Sequence, residues 1–506
     1  MFAKLHSVTV CGIDAKLVDV EVDITAGIPG TTIVGLPDAA VREAKDRVKA
    51  ALQNSGFTYP FRRVTVNLAP ADVRKEGPCF DLPIALGTLQ ASEVLPPEKL
   101  QDYATVGELS LQGQLRAVRG ALSMAITARL SGKRGLLLPS ANTREASVVE
   151  GLEVVGVDTL AEAVEFLSGT REITPARAPD TSATVFGSPD FADVAGQELV
   201  RRALLVAAAG GHNILLVGPP GSGKTMMAQR LPGILPPLTR EESLETTRVH
   251  SVAGLLPAGA GLMMGRPFRA PHHTVSDCGL IGGGAHPRPG EISLAHHGVL
   301  FLDELPEFQR RTLEVLRQPL EEGTVTIGRA QGSVTYPSSF MLVASMNPCP
   351  CGHFGDERRR CQCSAGQVER YMSRLSGPLL DRIDLHVEVD PVSPSDLGGR
   401  RTGSPSATLR AEVLKARGIQ SRRLGAGRAN ARMLSGEMEK HCTLAEAPRR
   451  LLLTAMEAMG LSARGYHRIL KVARTIADLA CSIDIDEAHV AEAVGYRSLD
   501  RKFWRM

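Results

Sequence analysis

The sequence predicts an α/β core, preceded by an α+β domain and followed by a helical region. Three apolar runs of strand length carry the α/β reading. Ile214–Val217 leads at once into Gly218-Pro219-Pro220-Gly221-Ser222-Gly223-Lys224-Thr225, with a helix pattern after it. Val299–Leu302 ends on Asp303-Glu304, and Phe340–Met346 ends on Asn347. Short apolar runs bounded by such loops read as buried strands.

The rest of the chain is organised around that core. With 506 residues it is too long for one hydrophobic core, and about three domains are expected. Residues 1–170 alternate β-rich runs, such as Val8-Thr9-Val10, Leu17–Val22 and Val64–Leu68, with helical patterns. The clearest helix there runs from Asp38, a capping residue, to Gln53. A linker rich in Thr, Ser, Pro and Ala follows at 171–189, then the core at 190–392. A second linker at 393–410 leads to the helical part at 411–506. Its best segments are Ala445–Met459, with Pro448 in the first turn, Tyr466–Ser482 and Asp486–Tyr496.

Composition excludes little. Hydrophobic and charged fractions of 43% and 22% are ordinary, and a net charge of +3 does not by itself argue for nucleic acid. No apolar stretch is long enough to cross a bilayer, and the first residues lack a signal pattern, so a cytoplasmic location without membrane contact is expected. In that compartment the nine cysteines stay reduced.

Residues 218–225 match the phosphate-loop pattern in full. Glycines let successive N–H groups turn inward on a nucleotide's phosphates, Lys224 adds a positive charge, and Thr225 offers a hydroxyl to Mg²⁺. The alternative is a glycine-rich turn with an accidental lysine; the strand–loop–helix order argues against it. ATP and Mg²⁺ are the expected ligands. Asp303 would hold Mg²⁺ through water, and Glu304 would polarise the attacking water. The amide of Asn347 can orient the same water. Without the phosphate loop upstream, the acids would read as a strand end and Asn347 as a turn.

Cys349-Pro350-Cys351 and Cys361-Gln362-Cys363 bring four thiols into one short segment, which fits a tetrahedral structural Zn²⁺ site. A loop of free reduced thiols is the alternative. His272, His273, His286, His296 and His297 sit in adjacent pairs or glycine-rich surroundings, where core or substrate-loop roles outweigh metal binding.

Several stretches together resemble one family. Arg266–Thr274, Gly282-Gly283-Gly284, Pro289–His296 and Asn347–Gly352 are similar to the AAA+ module of the magnesium-chelatase branch, and most closely to the ComM/YifB family. The resemblance covers essentially the whole chain. It implies an AAA+ core with a C-terminal helical lid, Asp303 and Glu304 as the acidic pair, and Asn347 as the first sensor. It also implies Arg382 as a finger reaching a neighbour's nucleotide and Arg464 as the second sensor. A finger acting on a neighbour implies a hexameric ring.

The N-terminal domain resembles that of Lon-type proteases on a ribosomal-S5-like fold, through Lys75–Leu86 and the stretch from Gly107 to Pro139. Lon-type catalysis needs a serine activated by a lysine. Cys79 and Met124 occupy those positions, and methionine cannot accept a proton. A non-proteolytic role in ring assembly or substrate contact is expected.

Three features point to DNA, branched or single-stranded and read without regard to sequence. Arg401, Arg410, Lys415, Arg417, Arg422, Arg423 and Arg428 share a segment with one acid, Glu412; a solvated charged helix is the alternative. Glu321–Tyr336 reads as a hairpin turning near Arg329, where related rings line their pore. ComM relatives are implicated as hexameric helicases in branch migration during natural transformation. Two rival activities stay open: a motor subunit for metal insertion into a porphyrin, and an ATP-dependent protein remodeller.

Overall fold

The computed structural model describes residues 1–178, 189–257, 259–284, 287–329, 332–355, 359–391 and 403–497. His286, Arg401, the tip of the Glu321–Tyr336 hairpin and most of both linkers lie outside the described residues. The chain forms two compact units. One comprises the described residues of Met1–Thr184, Ser243–Met263 and Gly328–Tyr336; the other comprises those of Val185–Glu242, Met264–Ile327 and Pro337–Met506.

The first unit is built on a seven-stranded mixed sheet in the order Gly30–Val34, Arg63–Ala69, Asp14–Thr25, Phe2–Cys11, Tyr103–Thr105, Gly135–Pro139, Glu153–Val157. Alternation fixes the register: Val20 lies opposite Leu68 and Val22 opposite Val66, and all four are buried. The helix Ala39–Asn54 covers this face with Val41, Ala44, Val48, Ala51 and Leu52. Asp38 caps it as the sequence predicts, accepting from Val41 N at 2.8 Å. A second helix, Asp81–Ala91, is tied to the first through Arg47. The guanidinium donates Nε to Asp81 Oδ2 at 2.8 Å and Nη2 to Oδ1 at 3.0 Å. Cys79 sits just before this helix and Met124 in the helix Ala121–Leu130, both buried. Burial pushes the Cys79 thiol up to about 12, which leaves it a poor nucleophile.

The second unit holds a five-stranded sheet in the order Phe268–Arg269, Val299–Leu302, Met341–Met346, Ile214–Val217, Leu385–Glu388, with every pairing parallel. Its central strands are buried at every position, as expected where helices cover both faces. The helices Ser406–Leu424, Ser435–His441, Glu446–Met459, Ala463–Leu479 and Glu487–Gly495 follow. Ser406 already opens a helix within the stretch read from sequence as linker. The helix Ala463–Leu479 buries Ile469, Leu470, Val472, Ala473, Ile476 and Ala477 in the same core as Ile214, Leu216, Val343 and Val387 of the sheet. That stripe recurs at helical spacing, which is why this segment was legible.

A polar node pins these helices to the sheet. Asp384, at the entry to the strand Leu385–Glu388, accepts from His212 Nδ1 at 3.2 Å and from Asn213 N at 3.3 Å, and is paired with Arg468. His212 reaches on through Nε2 to Thr475 Oγ1 at 2.8 Å. Burial opposes the charge on Asp384, but Arg468 and His212 outweigh it and hold the carboxyl well below the usual carboxylate range. A carboxyl depressed in the folded state stabilises the fold at pH above its unfolded value, near 4, and that contribution is lost as pH falls below it. Asp384→Asn is therefore expected to cost about 2 kcal/mol at neutral pH by leaving the half-buried Arg468 without its carboxylate. In denaturant unfolding followed against pH, the gap from wild type should narrow in acid.

Candidate nucleotide site

Parallel pairing brings the carboxyl ends of the strands to one edge, where α/β sheets bind ligands. Ile214–Val217 lies between Met341–Met346 and Leu385–Glu388, and Val299–Leu302 flanks Met341–Met346. The loops that begin at Gly218, Asp303 and Asn347 thus converge. Gly221 and Gly223 have φ of +80° and +88°, a left-handed backbone that glycine adopts without strain, and the helix Lys224–Arg230 starts directly after them.

Lys224 is buried, and its Nζ donates to Gly218 O at 2.6 Å, Pro219 O at 2.9 Å and Asn347 Oδ1 at 3.3 Å. Burial pulls its pKa below that of a free lysine, while Asp303 and Glu304 act in the opposite sense. Thr225 Oγ1 donates to Asp303 Oδ2 at 2.8 Å. Two oxygens so close, one of them anionic, suit a hard cation that keeps much of its water, and Mg²⁺ fits this donor pair. Register supplies a residue that sequence reasoning missed. Leu302 lies opposite Ala344, so the next residues along, Asp303 and Ser345, are neighbours, and Ser345 donates its hydroxyl to the Asp303 carboxylate. Glu304 follows in a left-handed conformation with φ of +54° and an exposed side chain.

Arg382 and Arg464 do not join this group. They line a separate cavity of about 480 Å³ with Arg432, His467, Arg468 and Lys471, and no phosphate-loop residue borders it. Arg382 is buried there, paired with Glu321 and donating Nη1 to Pro378 O at 2.5 Å. Arg464 is exposed, in the first turn of the helix capped by Ser462.

The four cysteine sulfurs lie within 4.8 Å of one another. Cys349 Sγ is 3.3 Å from Cys351 Sγ and 3.7 Å from Cys361 Sγ, and Cys351 to Cys361 is 3.6 Å. Backbone N–H groups of Gln362 and His353 hold the Cys351 thiol down to about 6, whereas burial pushes Cys349 up to about 12. This loop abuts the phosphate loop. A Cβ on Gly352, whose φ is +84°, would stand 2.5 Å from Pro220 Cδ, so only glycine fits.

The basic segment is less free than its composition suggests. Arg410 donates to Gly233 O, Arg417 to Ala208 O at 3.0 Å, and Arg428 to Glu437 Oε2 at 2.8 Å. Arg423 binds both oxygens of buried Asp478, at 3.0 and 2.7 Å. Lys415 and Arg422 remain exposed. Among the histidines, His296 Nδ1 accepts from Ser339 N at 3.0 Å and His272 Nδ1 meets Thr274 Oγ1 at 2.9 Å. His273 instead reaches Glu304, a contact that sequence spacing did not signal.

Fold and site define an α/β AAA+ protein of the magnesium-chelatase type. Residues 190–397 match the family described as magnesium chelatase, subunit ChlI, with 20–142 and 403–497 matching two further ChlI descriptions. The chain is 48% identical to competence protein ComM of Haemophilus influenzae, over 99% of this chain and 98% of that one. It is 45% identical to YifB of Escherichia coli over 98% and 97%. Similarity to the magnesium-chelatase 38 kDa subunit of Rhodobacter capsulatus is 27%, over 42% of this chain and 58% of that protein. The chain belongs to the ComM/YifB family of magnesium-chelatase-like proteins. Among the described residues no helix is long and apolar enough to cross a membrane.

Lys224→Ala removes the one cation that the loop's carbonyls hold in place. Titration with a fluorescent ATP analogue should show binding weakened by at least about a hundredfold, with circular dichroism unchanged.

Proposed function

We propose that this chain is an ATP-hydrolysing motor that works as a hexameric ring in the cytoplasm and acts on DNA, driving branch migration of recombination intermediates as a helicase. The observation that carries the ATPase part is the convergence of Lys224, Thr225, Asp303, Glu304 and Asn347 at one sheet edge. In this reading the loop amides and Lys224 hold the phosphates, and Glu304 takes the proton of the water that attacks the γ-phosphate. Asn347, already bound to Lys224, orients that water. Thr225 and Asp303 would hold Mg²⁺, which neutralises charge on the phosphates.

The ring rests on the separation of Arg382 and Arg464 from Lys224. Both arginines line a cationic cavity apart from the phosphate loop, as groups serving a neighbour's nucleotide would. In such a ring Arg382 is the finger, Arg464 the second sensor, and the C-terminal helices the lid. Rate gains from a finger in trans are about 10³–10⁵. The N-terminal unit would be a Lon-like scaffold without peptidase activity, in line with buried Cys79 and Met124.

DNA as the track rests on the relative named for competence and on the strand pair Thr324–Arg329 and Gly332–Pro337, the kind of hairpin with which related rings line their pore. The arginines of 410–428 add less, since most are tied internally. Purified protein should hydrolyse ATP faster with branched or single-stranded DNA than without it. Glu304→Gln should bind ATP yet turn it over at least about 10²-fold more slowly. Absence of DNA stimulation at low salt would sink the DNA assignment and leave the ATPase standing. The match to ChlI descriptions favours a second reading, a metal-chelatase motor, which predicts stimulation by a porphyrin and partner subunits instead.

We assign the Cys349–Cys351–Cys361–Cys363 cluster to a structural Zn²⁺ that cross-links the loop following Asn347, the loop whose Gly352 packs on Pro220. Protein purified without chelator should carry one zinc per chain by elemental analysis, and Cys361→Ser should lose it. Well under one equivalent in the wild type would point to free thiols.

A further inference from the structure

Glu304 does not stand free. Its carboxylate Oε2 lies 3.6 Å from Nδ1 of His273, a residue 31 positions earlier in the chain that the strand Phe268–Arg269 delivers to this edge of the sheet. The imidazole is gripped on two sides. It packs against the His272 ring at 4.1 Å between centroids and meets Phe308 edge-on at 6.4 Å with the planes 76° apart. Phe308 follows the turn Leu305–Glu307 that begins at Glu304 itself, so acid, turn, aromatic ring and imidazole close a small circuit. A half-buried histidine packed in this way has few rotamers left, and its nitrogen is aimed at the acid.

The acid has the opposite problem. Glu304 is exposed, more than half of its side chain meets solvent, and its left-handed backbone turns it out of the strand. A glutamate so placed samples many rotamers, and a general base must hold one of them to reach its water. Its charge is felt on the phosphate-loop side as well, where it favours the protonated form of Lys224. One oxygen of the carboxylate thus lies beside His273, while the charge of the group also reaches the phosphate-loop side.

We propose that His273 is a positioning residue for Glu304, fixing the carboxylate so that its other oxygen is presented to the water that attacks the γ-phosphate. This rests on the ATPase reading above. In the step concerned, the water oxygen bonds to the γ-phosphorus and its proton passes to Glu304. The bond to the β,γ-bridging oxygen breaks, with its electron pair leaving on ADP. His273 touches none of these atoms; it limits where Glu304 is.

The test is steady-state ATP turnover by the full chain for wild type, His273→Ala, His273→Asn, Glu304→Gln and the His273→Ala/Glu304→Gln double variant. Loss of the imidazole should lower kcat by between about tenfold and a hundredfold, the upper figure being the scale of a catalytic group misplaced by about 1 Å. KM should stay within about twofold, because ground-state binding is untouched. Asn, which keeps an N–H near the Nδ1 position, should recover most of the loss. The double variant should be no slower than Glu304→Gln alone, since the two act as one unit. His273→Ala with wild-type kcat overturns the proposal. So do His273→Ala and His273→Asn variants equally slow with raised KM, the mark of a loop that has merely lost its shape. Absence of ATP turnover by the wild type would instead overturn the ATPase reading, and wild-type turnover by Glu304→Gln would overturn the base role of Glu304; both are separable from a failure at His273 alone.

Discussion

A buried ammonium group held only by neutral oxygens is the constraint around which this protein is arranged. Lys224 donates to two backbone carbonyls and one amide oxygen, and its nearest acids influence it through space without pairing with it. Burying a charge in this way costs several kcal/mol unless an anion completes the site. The carbonyls of Gly218 and Pro219 can approach only because the loop bends back on itself at Gly221 and Gly223. The amide arrives because the strand ending at Asn347 is the immediate parallel neighbour of the strand ending at Val217. The sheet order is thus a requirement of the lysine's surroundings. The same edge carries Asp303 with its two hydroxyl donors, Thr225 and Ser345.

From that constraint the role of the cysteine loop follows. Asn347 begins the loop that two residues later carries Cys349, and Gly352 of the same loop presses on Pro220. The segment touches the phosphate loop at one point and supplies its lysine with a ligand at another. A loop with this position has to be stiff, yet its composition of prolines, glycines and cysteines gives it no helix or strand to lean on. Four sulfurs within 4.8 Å would hold it if bridged by one ion. A metal cross-link stiffens irregular backbone where hydrogen-bonded structure cannot.

What was legible in the sequence, and what was not, divides along a physical line. The phosphate loop, the acid pair and the cysteine spacing are local patterns: the chemistry needs those residue types within a few positions of one another. The strands before them were equally visible as apolar runs, and the helix Ala463–Leu479 as a stripe of buried residues. Ser345 and His273 were not visible, because their roles come from strand register and from the edge strand Phe268–Arg269 pairing beside Val299–Leu302. The basic stretch at 410–428 was legible only as composition, for the same reason. Composition counts charges, whereas packing decides that Arg423 belongs to Asp478 and Arg428 to Glu437. A buried or paired arginine leaves no mark in the sequence that separates it from a free one.

The two arginines assigned by resemblance complete the argument by where they are. Arg382 and Arg464 do not border the phosphate loop; they line a different cavity, with Arg432, Arg468 and Lys471. So many cations sharing one cavity repel one another, and the acids at hand, Glu321 and Asp384, are already matched to Arg382 and Arg468. Such a cavity favours an incoming anion, whereas the Lys224 site needs cationic help once a triphosphate brings in several negative charges. Each region lacks the charge the other would supply. Two copies meeting face to tail would satisfy both at once. A heterologous contact of that kind closes into a ring when its rotation allows. On this reading, ring assembly and catalysis depend on the same charges.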